Sequence, residues 1–503
     1  MTSRVRGTVG PATTARGYPT EDFRLASFKM GLLKSARLGS LLALLLALCG
    51  CPVATVGGTT DAAGNDAGAP SDGGNGTSLD WPTYLHDNLR TSTAPLETQL
   101  SPSTAPQLKL LWTFPTGGAI EASPIIIGNV LYIGSWDGHE YAVDALDGGQ
   151  IWKSPLLGQT DVGSCNGYPP NQGISSTATV VGNTLYVGGG GPLAGQTDTF
   201  WYALNASTGA ILWSVDTGNA ETGGYYNWSS PLLYNGYAYI NIASAGNCPS
   251  VAGAVLQVRL ADHTVANTWN AVGSGELGAA LWSSPTLDAA TNTLFVTTGS
   301  PVSGTQATQP YTVAIVALDA TTLSLKGSWQ IPPGEASSDS DFGAGATLFE
   351  DPSGRALVGA ANKDGYFYAL DRSTLTEVWE MQLDTGGDNP LGSGSISPAA
   401  IANGVLYVGA GDGSLHAIRT DGKVLWSVTT AGYVLGAAAY ANGVIVVGAG
   451  DTLEVHDAAD GGVLYTYETD PSAPYNLLET SPVIWNGHIY VGSADGNLYA
   501  FGF

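Results

Sequence analysis

From about residue 108 to its end, the chain repeats one pattern of apolar and polar positions. A short apolar run leads to a polar turn, then a second run, an Asp-Gly pair, an alternating run and a final strand ending at Trp. In the cleanest copy, Ala122-Ser-Pro-Ile-Ile-Ile-Gly128 predicts a strand buried on both faces and Asn129-Val-Leu-Tyr-Ile-Gly134 a second. Asp137-Gly138 predicts a tight turn, His139 to Asp144 a strand alternating outward, and a fourth strand ends at Trp152. Four short strands joined by tight turns make a small antiparallel sheet that cannot bury itself alone.

The sheet recurs. Trp112, Trp152, Trp213, Trp269, Trp329, Trp379 and Trp426 stand 40 to 61 residues apart, the span of one propeller blade. Ala142-x-Asp144-x-x-x-Gly148-x-x-x-Trp152 returns as Ala203-x-Asn205-x-x-x-Gly209-x-x-x-Trp213, and with Leu375 for the Gly as Ala369 to Trp379. A flat ring on each outer strand suits the space between neighbouring sheets, with small Ala and Gly allowing close approach. The seventh copy carries Tyr465 in place of Trp, and the eighth stops at Phe503 before its last strand. Leu108 to Trp112 precede the first complete copy and would supply that strand beside Gly496–Phe503. The predicted fold is all-β: an eight-bladed β-propeller of four-stranded antiparallel blades, closed by N- and C-terminal strands and spanning 80–503.

The first residues break the pattern. Met30-Gly-Leu-Leu-Lys34-Ser-Ala-Arg37 is a basic stretch, Leu41 to Leu48 an apolar core too short to span a bilayer, and Leu48-Cys49-Gly50-Cys51 resembles a lipobox. Residues 1–51 are expected to be a signal segment, with Met30 a possible start and Cys51 the lipidated residue. The Gly-, Ala- and Asp-rich stretch 52–79 is then a tether at the cell envelope. A plain secretory signal is the competing reading. The membrane would be met only through the lipid. In that oxidising compartment Cys165 and Cys248 are expected to form a disulfide between the second and third blades. A formal net charge of −25 argues against nucleic-acid binding. The sequence has no CxxCH pattern, from which no attached haem is expected.

"DWPTYLHDNLRTS", "IEASPIIIGNVLYIGSWDGHEYAVDALDGGQIW" and "GAANKDGYFYALDR" resemble the pyrroloquinoline quinone (PQQ) repeat propellers, and "LGAALWSSPTLDAATNTLFVTTGS" resembles their polyvinyl alcohol dehydrogenase-like branch. The resemblance implies a cofactor over the ring axis, stacked on Trp282. Asp341 in "SDSDFG" would be the catalytic base, Lys363 in "NKDG" the cation assisting the quinone oxygen, and Glu121 and Thr298 further cofactor contacts. Where the family's enzymes place Glu and Asn ligands for Ca²⁺, this chain has Cys248 and Ser300, so Asp341 with Ser300 makes a poor metal set. The same propeller serves as a scaffold in outer-membrane assembly lipoproteins. Two functions follow: a binding or scaffold lipoprotein with a degenerate cofactor site, which the altered ligands put first, or a PQQ- and Ca²⁺-dependent alcohol dehydrogenase passing electrons to an external cytochrome. Loops at 189–199, 243–253 and 298–311 would offer a face to a protein partner or to a small alcohol or polymer substrate.

Overall fold

The computed structural model describes residues 78–159, 172–193, 196–219, 225–247, 249–336, 339–387, 394–470 and 476–503. Cys51, Cys165 and Cys248 lie outside them, as do the signal segment and nearly all of the tether. Eight antiparallel sheets form the expected ring. The first blade runs Ile125–Ile127, Val130–Gly134, Glu140–Asp144 and Gln150–Lys153, and the fifth runs Thr347–Glu350, Ala356–Ala361, Tyr366–Asp371 and Glu377–Gln382. The eighth takes Val483–Trp485, His488–Gly492 and Asn497–Gly502 from the C-terminal end and Lys109–Pro115 from the N-terminal end. That closing pair is antiparallel from Lys109 opposite Gly502 to Pro115 opposite Asn497.

One expectation about the strands is corrected. The third strand of the first blade does not alternate outward, because Glu140, Tyr141, Ala142 and Val143 are all buried. Neighbouring blades cover both faces of each sheet, so only the outer strands keep a wet face.

The tryptophans dock as their spacing implies. The Trp152 indole donates to the Ala206 carbonyl of the next blade at 2.9 Å, and Trp426 donates to Ala458 at 3.1 Å. The glycine of the repeat sits under the preceding blade's ring in left-handed conformation: Gly209 has φ +70°, and a Cβ there would lie 2.5 Å from the Trp152 ring. His263, with φ 61°, takes that place in the third blade and stacks on Trp213 at 4.2 Å.

Residues 81–97 form a feature that no periodicity announced. Trp81 exchanges backbone hydrogen bonds with Ile126 of the first blade. Pro82 accepts from Val180 of the second, Asn88 from Leu287 of the fourth, Thr91 from Ile401 of the sixth and Ser92 from Tyr440 of the seventh. The Asn88 amide donates to Leu233 of the third blade, and the Glu97 carboxylate accepts from Gly487 of the eighth. A segment bonded to the innermost strands of six blades and to the first hairpin of the eighth lies across the axis and plugs the ring. The Asp80 carboxylate accepts from Gly128, in a hairpin joining first and second strands, so the plug enters on the face carrying those hairpins.

Candidate functional site

The opposite face carries the links between blades and the turns joining second to third strands. Asp341 lies on the link entering the fifth blade, and Lys363 on that blade's turn, after Ala356–Ala361. Trp282 lies near the end of the link into the fourth blade's inner strand, Thr286–Asp288. These three side chains meet. Lys363 Nζ stands 5.5 Å from the centre of the Trp282 ring, within cation–π range, and 3.9 Å from Asp341 Oδ2. The Trp282 indole N–H approaches that same oxygen at 3.4 Å, and the Ser300 backbone N–H donates to Asp341 Oδ1 at 2.6 Å. Asp339 adds a second carboxylate on Lys363 at 2.9 Å.

Local backbone makes this arrangement possible. Gly343 lies beside the Trp282 ring, where a Cβ would come within 2.1 Å of the indole; at Gly299 a Cβ would meet Asp341 Oδ1 at 2.8 Å. The loop carrying Ser300 is fixed by the Ala279 N–H donating to the Ser300 carbonyl and by a bridge between Gly278 and Pro301.

Other predicted positions are placed differently. Thr298 is buried, and its hydroxyl donates to the carbonyls of Tyr311 and Ala314. Ser300 meets Asp341 through its backbone. Glu121 pairs with Glu479, and both carboxyls titrate above the ordinary glutamate range, first because burial penalises the charge; the neighbouring carboxylate raises Glu121 further. The pair holds a proton readily and a second negative charge poorly.

The sequence carries a signal for Glu479: Glu479-Thr-Ser-Pro repeats Glu121-Ala-Ser-Pro one blade away. The same position, three residues before the proline or its equivalent, is Ser175, Trp228, Trp282 and Gly343 in the second to fifth blades. The mouth of the ring thus has an acidic sector at the eighth and first blades and an aromatic sector at the third and fourth. Between them the Trp136 indole donates to Ser175 Oγ, which is bonded to the Tyr226 hydroxyl.

An aromatic floor beside a lysine, with side-chain-free Gly343 at its edge, fits a planar, acidic quinone. A calcium site does not fit: Asp341 Oδ1 is taken by Ser300, Oδ2 faces a lysine and an indole, and no group of three His, Cys, Asp or Glu side chains among the described residues could hold a metal.

The profile described as "Outer membrane protein assembly factor BamB", PQQ_2, matches residues 137–347 and 363–502. The chain belongs to the PQQ_2 family. Among curated relatives, the quinohemoprotein alcohol dehydrogenase of Comamonas testosteroni is 24% identical over 337 residues, covering 58% of this chain and 45% of that one. The polyvinylalcohol dehydrogenase of Sphingopyxis sp. (strain 113P3) is 25% identical over 365 residues, covering 64% and 53%. The chain therefore spans about half the length of these relatives. The crystal structure of the Comamonas testosteroni quinohemoprotein superposes with TM-score 0.70 at 19% identity, covering 84% of this chain and 80% of that chain, which supports the fold.

One expectation falls with these relatives. The missing CxxCH pattern predicts no attached haem, yet the chain is similar to a protein named as a quinohemoprotein. The pattern is no ground for that exclusion.

Proposed function

We propose that this PQQ_2 propeller is the quinone-binding part of an alcohol-oxidising enzyme. The sequence put the scaffold reading first; the named dehydrogenases among its relatives favour the alternative. The observation that carries the proposal is the contact of Trp282, Asp341 and Lys363 at one mouth of the ring.

Trp282 offers the stacking surface, and Lys363 places a positive charge beside it for a quinone oxygen or carboxylate. PQQ, when bound, supplies the two-electron acceptor for the hydride leaving the carbinol carbon. Asp341 takes the proton of the substrate hydroxyl at Oδ2, while the Ser300 N–H on Oδ1 fixes the carboxylate plane. Electrons leave to an external cytochrome, and the substrate reaches the site from the loop-rich face.

Calorimetric titration of the full chain with PQQ, with and without Ca²⁺, tests the binding; reduction of a dye with alcohols tests the chemistry. Asp341→Asn should lower turnover by about 10²- to 10⁴-fold and leave PQQ affinity nearly unchanged. Absence of PQQ uptake, or uptake that Trp282→Ala does not weaken, leaves the scaffold reading.

We also place the protein at the bacterial cell envelope, tethered through Cys51. The support is the Leu48-Cys49-Gly50-Cys51 tetrapeptide alone. Intact mass of membrane-extracted protein should show an acylated Cys51 at the N-terminus; an unacylated Cys51 in that material counts against the tether.

A further inference from the structure

One layer below the Glu121 and Trp282 positions, a belt of hydroxyls runs around the axis. The Ser123 N–H donates to Thr177 Oγ1 at 2.8 Å, the Thr177 N–H to Ser230 Oγ at 3.1 Å and the Ser230 N–H to Ser284 Oγ at 2.9 Å. On the other side the Ser481 N–H donates to Ser123 Oγ at 2.9 Å, and the Ala437 N–H to Ser481 Oγ at 3.0 Å. All five hydroxyls stand immediately before the proline, or its equivalent, at the start of an inner strand. The belt is open at the fifth to seventh blades, where the positions are Gly345, Pro398 and Ala437. Each hydroxyl oxygen accepts a backbone N–H from the neighbouring blade. That geometry uses the acceptor side and leaves the O–H as a donor. Among the described residues, no acceptor receives the hydroxyl protons of Ser123, Thr177, Ser230 and Ser284.

Against this belt lies the one arginine of the plug. Arg90 is 1% exposed. Its Nε donates to the carbonyl of Pro285, next to the belt residue Ser284, and its Nη1 to Thr83 Oγ1, which is bonded across the axis to Thr179 of the second blade. Nη1 also donates to the Tyr84 carbonyl, and the Tyr84 hydroxyl is bonded to Ser481. Nη2 is buried without any partner. Asp87 is the acid near enough to be felt, but its carboxylate is engaged by the Thr91 N–H, the Thr91 hydroxyl and His86. Burial pulls the guanidinium down to about 10, so it remains cationic at neutral pH. A buried cation with an orphaned donor is costly unless an anion or water answers it.

We infer that the axis between Arg90 and the hydroxyls of Ser230 and Ser284 binds a small monovalent anion of the halide class. Arg90 Nη2 and the hydroxyl protons of Ser230 and Ser284 are donors for which no acceptor is found among the described residues. An acceptor-only ion satisfies Arg90 Nη2 and the belt protons together, whereas a water would bring two protons of its own to a site already rich in them. The ion would lock the plug to the inner strands from beneath the mouth without touching Trp282, Asp341 or Lys363.

Crystals of the full chain grown in bromide should show one anomalous peak on the axis, within hydrogen-bonding distance of Arg90 Nη2 and the hydroxyls of Ser230 and Ser284. In solution, chloride should raise the unfolding temperature relative to isethionate at equal ionic strength, and the increment should saturate. Removing two donors in the Ser230→Ala, Ser284→Ala variant should weaken the anion's effect by about tenfold or more. Arg90→Met should abolish it; should that variant fail to fold, the double-alanine variant still decides. A water-only axis in bromide crystals, or a chloride increment unaltered in the double-alanine variant, overturns the inference.

Discussion

Glu140 is the residue whose chemistry is most at odds with its surroundings. It pairs with Gly134 in the first blade, and the equivalent positions carry Trp201, Leu415, Leu453 and Leu498 in the second, sixth, seventh and eighth blades. Its side chain is 0% exposed, and neither carboxylate oxygen has a partner. Burial alone raises its titration well above the ordinary glutamate value of 4.5. Below that pH the group is protonated folded and unfolded, and its contribution is constant. As the pH climbs, the unfolded chain ionises first, and stability is lost progressively until the folded carboxyl ionises too. Glu140→Leu should therefore stabilise the protein, by about 1–3 kcal/mol at neutral pH from removal of an unsatisfied buried carboxyl. The gain should shrink toward about pH 4, where the unfolded glutamate is protonated as well. Thermal unfolding of both proteins across this range checks it; a gain independent of pH would contradict the buried neutral acid.

At the scale of the element, the blade-to-blade joint depends on a ring over a left-handed residue. Gly209→Val would put a branched side chain at φ +70° and 2.5 Å from the Trp152 ring, and the two penalties together should cost about 2–4 kcal/mol. His263→Gly, at the same position but stacked on Trp213, should change stability far less because the lost stacking is offset by relief of its φ of 61°. Denaturant unfolding of the two variants separates these outcomes; similar losses would mean that the joint does not depend on close approach of the ring. The strands and their order were legible because each blade repeats the same apolar pattern, and the closing strand followed from the orphan Leu108–Trp112 run. The wet face assigned to the third strand was wrong because alternation along one strand does not report what the next blade covers. In the site, Trp282, Asp341 and Lys363 could be picked from motif resemblance, but Glu479 needed the repeats to be aligned position by position. The engagement of the Thr298 hydroxyl by the Tyr311 and Ala314 carbonyls could not be read from the motif, because it depends on how the following loop returns to the strand.

Across the whole molecule, the N-terminal end does two separable jobs. Lys109–Pro115 closes the eighth sheet through an unbroken antiparallel ladder apart from one irregularity between Leu110 and Trp112, whereas residues 81–97 bond to the innermost strands of six blades and to the first hairpin of the eighth without belonging to any of them. Aperiodic and rich in left-handed residues such as Leu85, His86, Arg90 and Ser92, the plug has no pattern from which its path could be read. A chain beginning at Leu108 keeps the closing strand and loses the plug. A chain beginning at Thr116 loses both and leaves Asn497–Gly502 as an open edge beside Tyr465 and Tyr467, which pack on Phe501. The first truncation should lower the unfolding temperature without changing the protein's association state, since the ring remains closed. The second should lower it much further and drive association through the unpaired strand. Size-exclusion chromatography with thermal unfolding compares them directly. Equal losses for the two truncations would mean that closure resides in the plug and that the shared eighth blade contributes little to holding the ring.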